Sequence, residues 1–251
     1  MRDKACLEGN EGAGSPSGCL YGVGVGPGDP DLLTVKAVRL LQQVPVVVVP
    51  RKTSRDESYA YSIISHLVDK GRQEVLPLVF PMKKELDQLR SYWREACEAI
   101  HQRLDEGKDC AFITEGDPLL YGTFIYVYEM LKDLHPEIRV EIVPGISSVT
   151  AAAARAQVPL VSGDGRLAIL PATYEGEKLR ETLRDFDTVV LMKVHSVFDQ
   201  VLDILEEMGL VEGAVFVKRC TTPGQEIIRD IRTLRGRRLD YLSLLIVRKR
   251  A

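Results

Sequence analysis

The chain has 251 residues, of which 45% are hydrophobic and 6% aromatic, and its formal net charge at pH 7 is -3. This length and apolar content suit one large or two medium α/β domains with a substantial core. The weakly acidic balance and the lack of an apolar run near ~20 residues argue against nucleic-acid binding and a membrane span. The five cysteines are dispersed and the four histidines show no metal-ligand spacing, so we expect a cytoplasmic protein without a structural metal.

Residues 1–18 combine charges with small residues and lack the apolar segment of a secretory signal, so we predict a disordered tail. From residue 19 onward, strand and helix patterns alternate. The strand patterns of the first half are CLYGVGV, PVVVV, EVLPLVF, DCAFIT and RVEIVPG. The helical patterns between them are TVKAVRLLQQV, YAYSIISHLV, LDQLRSYWREACEAIHQRLDEG and FIYVYEMLKDL. Such alternation predicts a mainly parallel sheet with helices on both faces.

The alternation starts again after residue 145, with VTAAAARAQ, RLAILPA, EKLRETLRDF, TVVLMKV, VFDQVLDILEEMG and GAVFVKRC. The last two runs, EIIRDIRTLRG and YLSLLIVRK, have the two-residue period of antiparallel strands. We therefore predict an α/β fold with two α/β domains. Residues 19–145 form the first, with a mainly parallel sheet, and residues 146–251 form the second, with a mixed sheet and an antiparallel edge.

The glycine-rich segment LYGVGVGPGDPDLLT follows the first predicted strand. It is not a dinucleotide fingerprint, because Pro27 or Asp29 stands where the third glycine is required. The second strand ends in VVVVPRK, with cations where a ribose-binding carboxylate would stand, and no Gly-Lys-Ser or Gly-Lys-Thr of a phosphate loop occurs. A second unusual loop, EGDPLLYGT, follows another predicted strand. Because ligands collect at the carboxyl ends of strands in open α/β sheets, the two loops predict a shared site.

Three motifs, GVGVGPGDPDLLT, EGDPLLYGT and VEIVPGISS, resemble in order and spacing those of the tetrapyrrole (corrin/porphyrin) methyltransferase family. The resemblance extends from about residue 20 to the C-terminus. It implies two α/β domains with S-adenosylmethionine in a cleft between them, a homodimer, and methyl transfer to a carbon of a porphyrin-derived ring. The segments VVVVPRK, VFPM, LAILPAT and VVLMK are most similar to the precorrin-2 C(20)-methyltransferases of cobalamin synthesis.

The resemblance also implies the residues that contact the cofactor: Pro27, Glu115, Gly116, Asp117, Tyr121, Thr123, Ser147, Ser148, Met192, Cys220 and Leu244. The residues alone leave other roles open. Asp117 could form an Asx-Pro turn, Tyr121 could be a core residue, and the serine pair could cap a helix. By pattern alone, Met192 would be a core residue of a strand.

The implied substrate carries many carboxylates, which call for arginine and lysine. Arg51 and Lys52, with Arg55 nearby, are the predicted substrate contacts, and Lys218 and Arg219 end another strand. Each could equally be a solvated surface charge. The resulting prediction is S-adenosylmethionine-dependent methylation of precorrin-2 at C(20) to give precorrin-3A, with no catalytic residue assigned. The alternatives are cobalt-precorrin-2 or uroporphyrinogen III as substrate, or a ligand-binding α/β protein without turnover.

Overall fold

The computed structural model describes residues 17–81, 86–173 and 176–249, and the chain divides after Ser147 into two compact units. Residues 1–16 of the predicted tail lie outside the described residues. Ser17 and Gly18, the last two residues of the predicted tail, form hydrogen bonds with the first unit. The Gly18 amide donates to the Leu104 carbonyl at 2.8 Å, and the Arg139 guanidinium donates to the Ser17 carbonyl. Ser17 and Gly18 therefore have defined contacts with the first unit.

The first unit is built on five parallel strands in the order β3-β2-β4-β1-β5. The strands are β1 (Cys19–Gly24), β2 (Val46–Arg51), β3 (Glu74–Val79), β4 (Cys110–Thr114) and β5 (Arg139–Val143). The predicted mainly parallel first sheet is therefore confirmed. In this sheet all strands share one direction, so all their carboxyl ends lie along the same edge.

Helices cover both faces of this sheet, as the strand sequences require. They are α1 (Val35–Leu41), α2 (Tyr59–Ile64), α3 (Leu86–Asp105) and α4 (Phe124–Leu134). In β2, Val46 and Val48 pack with residues of α3 and α4, whereas Val47 and Val49 pack with residues of α1 and α2. Successive side chains of a strand point to opposite faces, so a run of four valines serves two cores. No helix among the described residues is long and apolar enough to cross a membrane.

The second unit holds a mixed sheet in the order β6-β7-β10-β8-β9, which confirms the predicted mixed character. Its strands are β6 (Leu167–Pro171), β7 (Thr188–Met192), β8 (Ala214–Lys218), β9 (Glu226–Ile228) and β10 (Ser243–Arg248). Its helices are α5 (Ser148–Ala156), α6 (Gly176–Asp185) and α7 (Phe198–Glu207). The β6 and β7 strands are parallel, and the other three pairs are antiparallel.

The two final runs of the sequence differ from their predicted form. Only Glu226–Ile228 of the run EIIRDIRTLRG is a strand, and Ile231–Leu234 forms a 3-10 turn. The last strand, β10, lies in the middle of the sheet rather than at its edge, and residues 244–247 are all buried. β10 is antiparallel to both of its neighbours, as predicted, and its central place in the sheet explains why residues 244–247 are all apolar.

Candidate functional site

The two glycine loops identified in the sequence touch each other at the carboxyl edge of the first sheet. Gly116, after β4, donates its amide to the Gly26 carbonyl at 2.8 Å, and the Gly26 amide donates back to Gly116 at 3.4 Å. Their φ angles are 74° at Gly26 and 68° at Gly116, a left-handed region that side chains disfavour. The backbone conformation at both positions therefore favours glycine.

The loop after β5 packs into the same junction. A Cβ atom placed on Gly24 would lie 2.6 Å from the Gly116 carbonyl oxygen and 2.6 Å from the Gly145 amide nitrogen. A contact this short does not occur between a real Cβ and backbone. Gly24, Gly116 and Gly145 thus let the main chains that follow β1, β4 and β5 meet directly.

Asp117 ties this junction together through its carboxylate. One oxygen accepts the Leu119 amide at 2.9 Å, which is the Asx turn considered from the sequence, and the other accepts the Gly145 amide at 3.1 Å. Asp117 therefore positions the loops after β4 and β5 relative to each other. Its contact with a cofactor stays a prediction.

Helix α2 supports the first loop from the other side. The Tyr59 hydroxyl donates to the carbonyl of Pro27 at 3.2 Å, so a side chain at the start of α2 holds a residue that is predicted to contact the cofactor. Sequence patterns do not predict this contact, because its partners are 32 residues apart in the chain. Gly145, in the motif VEIVPGISS, is a residue of this junction that the sequence analysis does not predict, although a glycine next to a strand can mark close backbone approach.

Glu115 and Lys52 directly follow the adjacent strands β4 and β2, and the charge of Lys52 acts on the Glu115 carboxyl. The Glu115 side chain keeps exposed surface, yet protein atoms crowd its carboxyl, and this desolvation raises its pKa above the ordinary value. The positive charge of Lys52 opposes the shift without cancelling it. A carboxyl that is costly to ionise in the ligand-free protein is well suited to receive a cation.

Arg51 ends β2 with its guanidinium partly enclosed. Its Nε is buried and has no hydrogen-bond partner among the described residues. An unpaired buried donor costs free energy, and a ligand carboxylate at this point would satisfy it.

The residues that precede α4 are accessible. Tyr121 is 44% exposed, so the core alternative considered for it is wrong, and its φ of 54° is left-handed. Thr123 occupies the N-cap of α4 but makes no capping hydrogen bond with its side chain. Ser147 and Ser148 lie where α5 begins, as predicted, with Ser148 as its first residue.

Three of the site residues predicted in the second unit, Met192, Cys220 and Leu244, lie at one end of its sheet. Met192 ends β7 directly beside Leu244, at the start of β10. Cys220 follows β8 and is buried, and this burial raises the pKa of its thiol to about 11. Its neighbours Arg219 and Thr221 have left-handed φ angles of 43° and 68°. Backbone of this kind is strained and is frequent at functional sites.

The cations after β8 already have protein partners. Lys218 forms an ion pair with Glu226, and the Arg219 Nε donates to Asp240 at 2.6 Å. Arg51, whose Nε lacks a described partner, is the stronger candidate for a substrate carboxylate.

Comparison with known proteins decides the family. The family model described as Tetrapyrrole (Corrin/Porphyrin) Methylases matches residues 19–234. The chain belongs to this family. The resemblance inferred from the three motifs is thereby confirmed, and the loops that meet at Gly26, Gly116 and Gly145 belong to a tetrapyrrole methylase.

Among related tetrapyrrole methylases, a protein of Methanocaldococcus jannaschii named "Probable cobalt-precorrin-2 C(20)-methyltransferase" is 40% identical, with 92% of this chain and 96% of the relative covered. The cobalt-precorrin-2 C(20)-methyltransferase of Salmonella typhimurium is 33% identical over 93% of this chain and 97% of its own. A precorrin-2 C(20)-methyltransferase of a Sinorhizobium species is 35% identical over 81% and 84%.

Solved structures of tetrapyrrole methylases share the fold. A cobalt precorrin-4 methyltransferase is similar with a TM-score of 0.70 at 28% identity, covering 91% of this chain and 93% of that one. A uroporphyrin-III C-methyltransferase of Thermus thermophilus, solved with S-adenosyl homocysteine, has a TM-score of 0.65 at 25% identity, covering 92% and 98%.

Proposed function

We propose that this enzyme transfers the methyl group of S-adenosylmethionine to C(20) of a precorrin-2 ring. The observation that carries the proposal is the similarity, over most of the chain, to three relatives named for C(20) methylation, at 33–40% identity. Two of these names specify cobalt-precorrin-2, including that of the 40% identical relative. We therefore favour the cobalt-containing ring over metal-free precorrin-2, whose product would be precorrin-3A.

The first unit offers groups that fit S-adenosylmethionine. When bound, this cofactor supplies a methyl group on a positively charged sulfur and also carries an ammonium group and ribose hydroxyls. Glu115 provides an exposed carboxyl beside Gly116, and the Thr123 hydroxyl makes no capping bond. At the glycine junction, the main chains after β1, β4 and β5 meet without intervening side chains. In this proposal the protein contributes mainly positioning and exclusion of water.

Arg51 and Lys52 are the proposed contacts for the substrate. Arg51 ends β2 and Lys52 follows it, at the carboxyl edge of the parallel sheet, where ligands collect in open α/β folds. The buried Nε of Arg51, unpartnered among the described residues, is matched by the carboxylates of a precorrin ring. Met192, Cys220 and Leu244 stay predicted contacts for the adenine. From the family resemblance, we also propose that the protein is a homodimer and that it is located in the cytoplasm. Light scattering of the purified protein measures whether it is a dimer.

A turnover assay tests the proposed function. The purified protein is incubated with S-adenosylmethionine and, separately, with cobalt-precorrin-2, precorrin-2 and uroporphyrinogen III, and the products are analysed by mass spectrometry. We expect one added methyl group on the precorrin-2 rings, with S-adenosylhomocysteine formed in equal amount. Methylation of uroporphyrinogen III alone would indicate that the enzyme is a uroporphyrinogen-III methyltransferase. Binding without any methylated product would indicate a ligand-binding protein.

A further inference from the structure

We propose that His101, His135 and Glu137 form a binding site for a divalent transition-metal ion such as Zn²⁺, separate from the methyl-transfer site. His101 lies near the end of α3, and the other two residues lie in the connection between α4 and β5. These segments are at the amino ends of the parallel strands, whereas the glycine loops follow the carboxyl ends. The proposed ion would therefore link two elements of the scaffold and take no part in the reaction.

The three potential ligand atoms already lie close together. Glu137 Oε1 is 3.8 Å from His101 Nε2 and 3.6 Å from His135 Nδ1, and the ligand atoms of the cluster all lie within 4.8 Å of one another. In a tetrahedral zinc site with bonds of about 2.0–2.2 Å, neighbouring ligand atoms are roughly 3.3–3.6 Å apart. Small side-chain rotations would bring this set to coordination distance.

A carboxylate orients one of the imidazoles for this role. Asp105 Oδ2 lies 3.2 Å from His101 Nδ1, one helical turn away on α3. With the imidazole proton on Nδ1, facing this carboxylate, the lone pair of Nε2 is free to bind an ion. Histidine ligands of metals are commonly held in this way, by a carboxylate on the nitrogen that does not bind the ion.

The turn that carries the other two ligands is fixed by the protein. The Ile138 amide donates to the His135 carbonyl at 3.1 Å, which closes a turn with Pro136 at its second position. Lys132 Nζ donates to the Ile138 carbonyl at 2.8 Å and holds the turn against α4. His135 and Glu137 are therefore presented together by a rigid segment rather than by a free loop.

The two imidazoles stack with centroids 3.5 Å apart and planes inclined by 20°. Nearly parallel rings direct their lone pairs side by side, so coordination requires the rings to splay around the ion. The side chains of His101 and His135 are 21% and 29% exposed, and that of Glu137 is 67% exposed, which leaves room for this movement and for water as a fourth ligand. Three protein ligands with one open position is an ordinary zinc arrangement.

The test is calorimetric titration of the full-length protein, stripped with a chelator, with Zn²⁺, together with thermal unfolding with and without the ion. We expect one ion per chain at this site and a rise in Tm of roughly 5 °C or more at hundredfold excess over Kd. His101→Gln and Glu137→Gln should each abolish that binding event. Asp105→Asn should weaken it by about 10–100-fold, because it removes only the orienting group.

His66→Gln is the matched control, since His66 is exposed on a 3-10 turn away from the cluster. It should bind Zn²⁺ like the unchanged protein. The proposal would be overturned if no ion bound, or if binding persisted unchanged in both His101→Gln and Glu137→Gln. The Glu137 side chain is exposed, so we expect Glu137→Gln to fold normally. This variant therefore tests the site even if His101→Gln fails to fold.

Discussion

Gly145 lies directly against the carbonyl oxygen of Gly116, and a Cβ atom on Gly145 would stand 2.1 Å from that oxygen. The same Cβ would lie 2.8 Å from the Cα of Gly24. The loops after β1, β4 and β5 therefore form one packed junction, and a change in any of them displaces the other two.

The first prediction follows from this contact. Gly145→Ala should force the three loops apart, destabilise the protein by about 1–3 kcal/mol and weaken S-adenosylhomocysteine binding by roughly tenfold or more. Gly176→Ala is the control, because its Cβ would meet neighbouring atoms at an ordinary 3.6 Å. Calorimetry and thermal unfolding of both variants measure the effects. Unchanged cofactor affinity in Gly145→Ala would place the cofactor elsewhere.

The second prediction compares two tyrosines of α2. Tyr59→Phe removes the hydrogen bond to the Pro27 carbonyl and should cost about 0.5–1.5 kcal/mol of stability, with weaker S-adenosylhomocysteine binding. Tyr61→Phe should be neutral or stabilising, because the Tyr61 hydroxyl is buried without a hydrogen-bond partner in the described part of the chain. Denaturant unfolding of the two variants measures the difference. Equal stabilities would show that the Pro27 contact contributes nothing.

The third prediction concerns pH and Glu115. Desolvation raises its pKa in the folded protein, so ionisation of this group costs folding free energy above its ordinary value of 4.5. The protonated Glu115 carboxyl carries no such cost, so its full contribution to folding stability is present below pH 4.5. This contribution is lost as the pH rises through the raised pKa of the folded protein. Glu115→Gln should therefore raise the Tm of the ligand-free protein at neutral pH, and this gain should shrink as the pH falls toward 4.5.

The same Glu115→Gln variant should bind S-adenosylhomocysteine more weakly, because it lacks the proposed carboxylate contact. Glu181→Gln, an exposed position on α6, makes the same charge change without either effect. A loss of stability in Glu115→Gln at neutral pH would contradict the assigned cause of the pKa shift.

The fourth prediction separates the two ligands. Replacement of both Arg51 and Lys52 with alanine should weaken binding of the tetrapyrrole, by about 1.5–3 kcal/mol for each charge-assisted hydrogen bond lost. The loss should be larger at low salt than at high salt, and cofactor affinity should hardly change. A double alanine variant at Lys70 and Arg72 is the control of equal charge. Loss of cofactor binding with retained substrate affinity would reverse the assignment of the loops.

The sequence could predict features that depend on local pattern. The valine run of β2 and the glycines at Gly26 and Gly116 mark a buried parallel strand and tight turns through period and backbone freedom alone. Contacts between distant segments could not be derived in this way. The bond from Tyr59 to Pro27 and the approach of His101 to His135 arise only when the chain folds, so the histidine spacing gave no indication of a cluster.

Asp117 illustrates the same limit within a recognised motif. Its position next to proline left an Asx turn and a cofactor contact both open, since each needs a carboxylate at that point. The Asp117 carboxylate accepts the Gly145 amide and so holds two loops together. Gly145 follows β5 whereas Asp117 follows β4, so the motif alone does not predict this partner. A motif identifies which residue types are needed, whereas the contacts that each side chain makes depend on the tertiary structure.

The most direct test of the proposed C(20) methylation is the position of the new carbon in the product. Cobalt-precorrin-2 is converted with S-adenosylmethionine labelled with carbon-13 in its methyl group, and the product is examined by NMR. The proposal predicts that the label is attached to ring carbon C(20) and to no other carbon. A label at C(11) or at any other ring carbon, or no label in the ring, would contradict it.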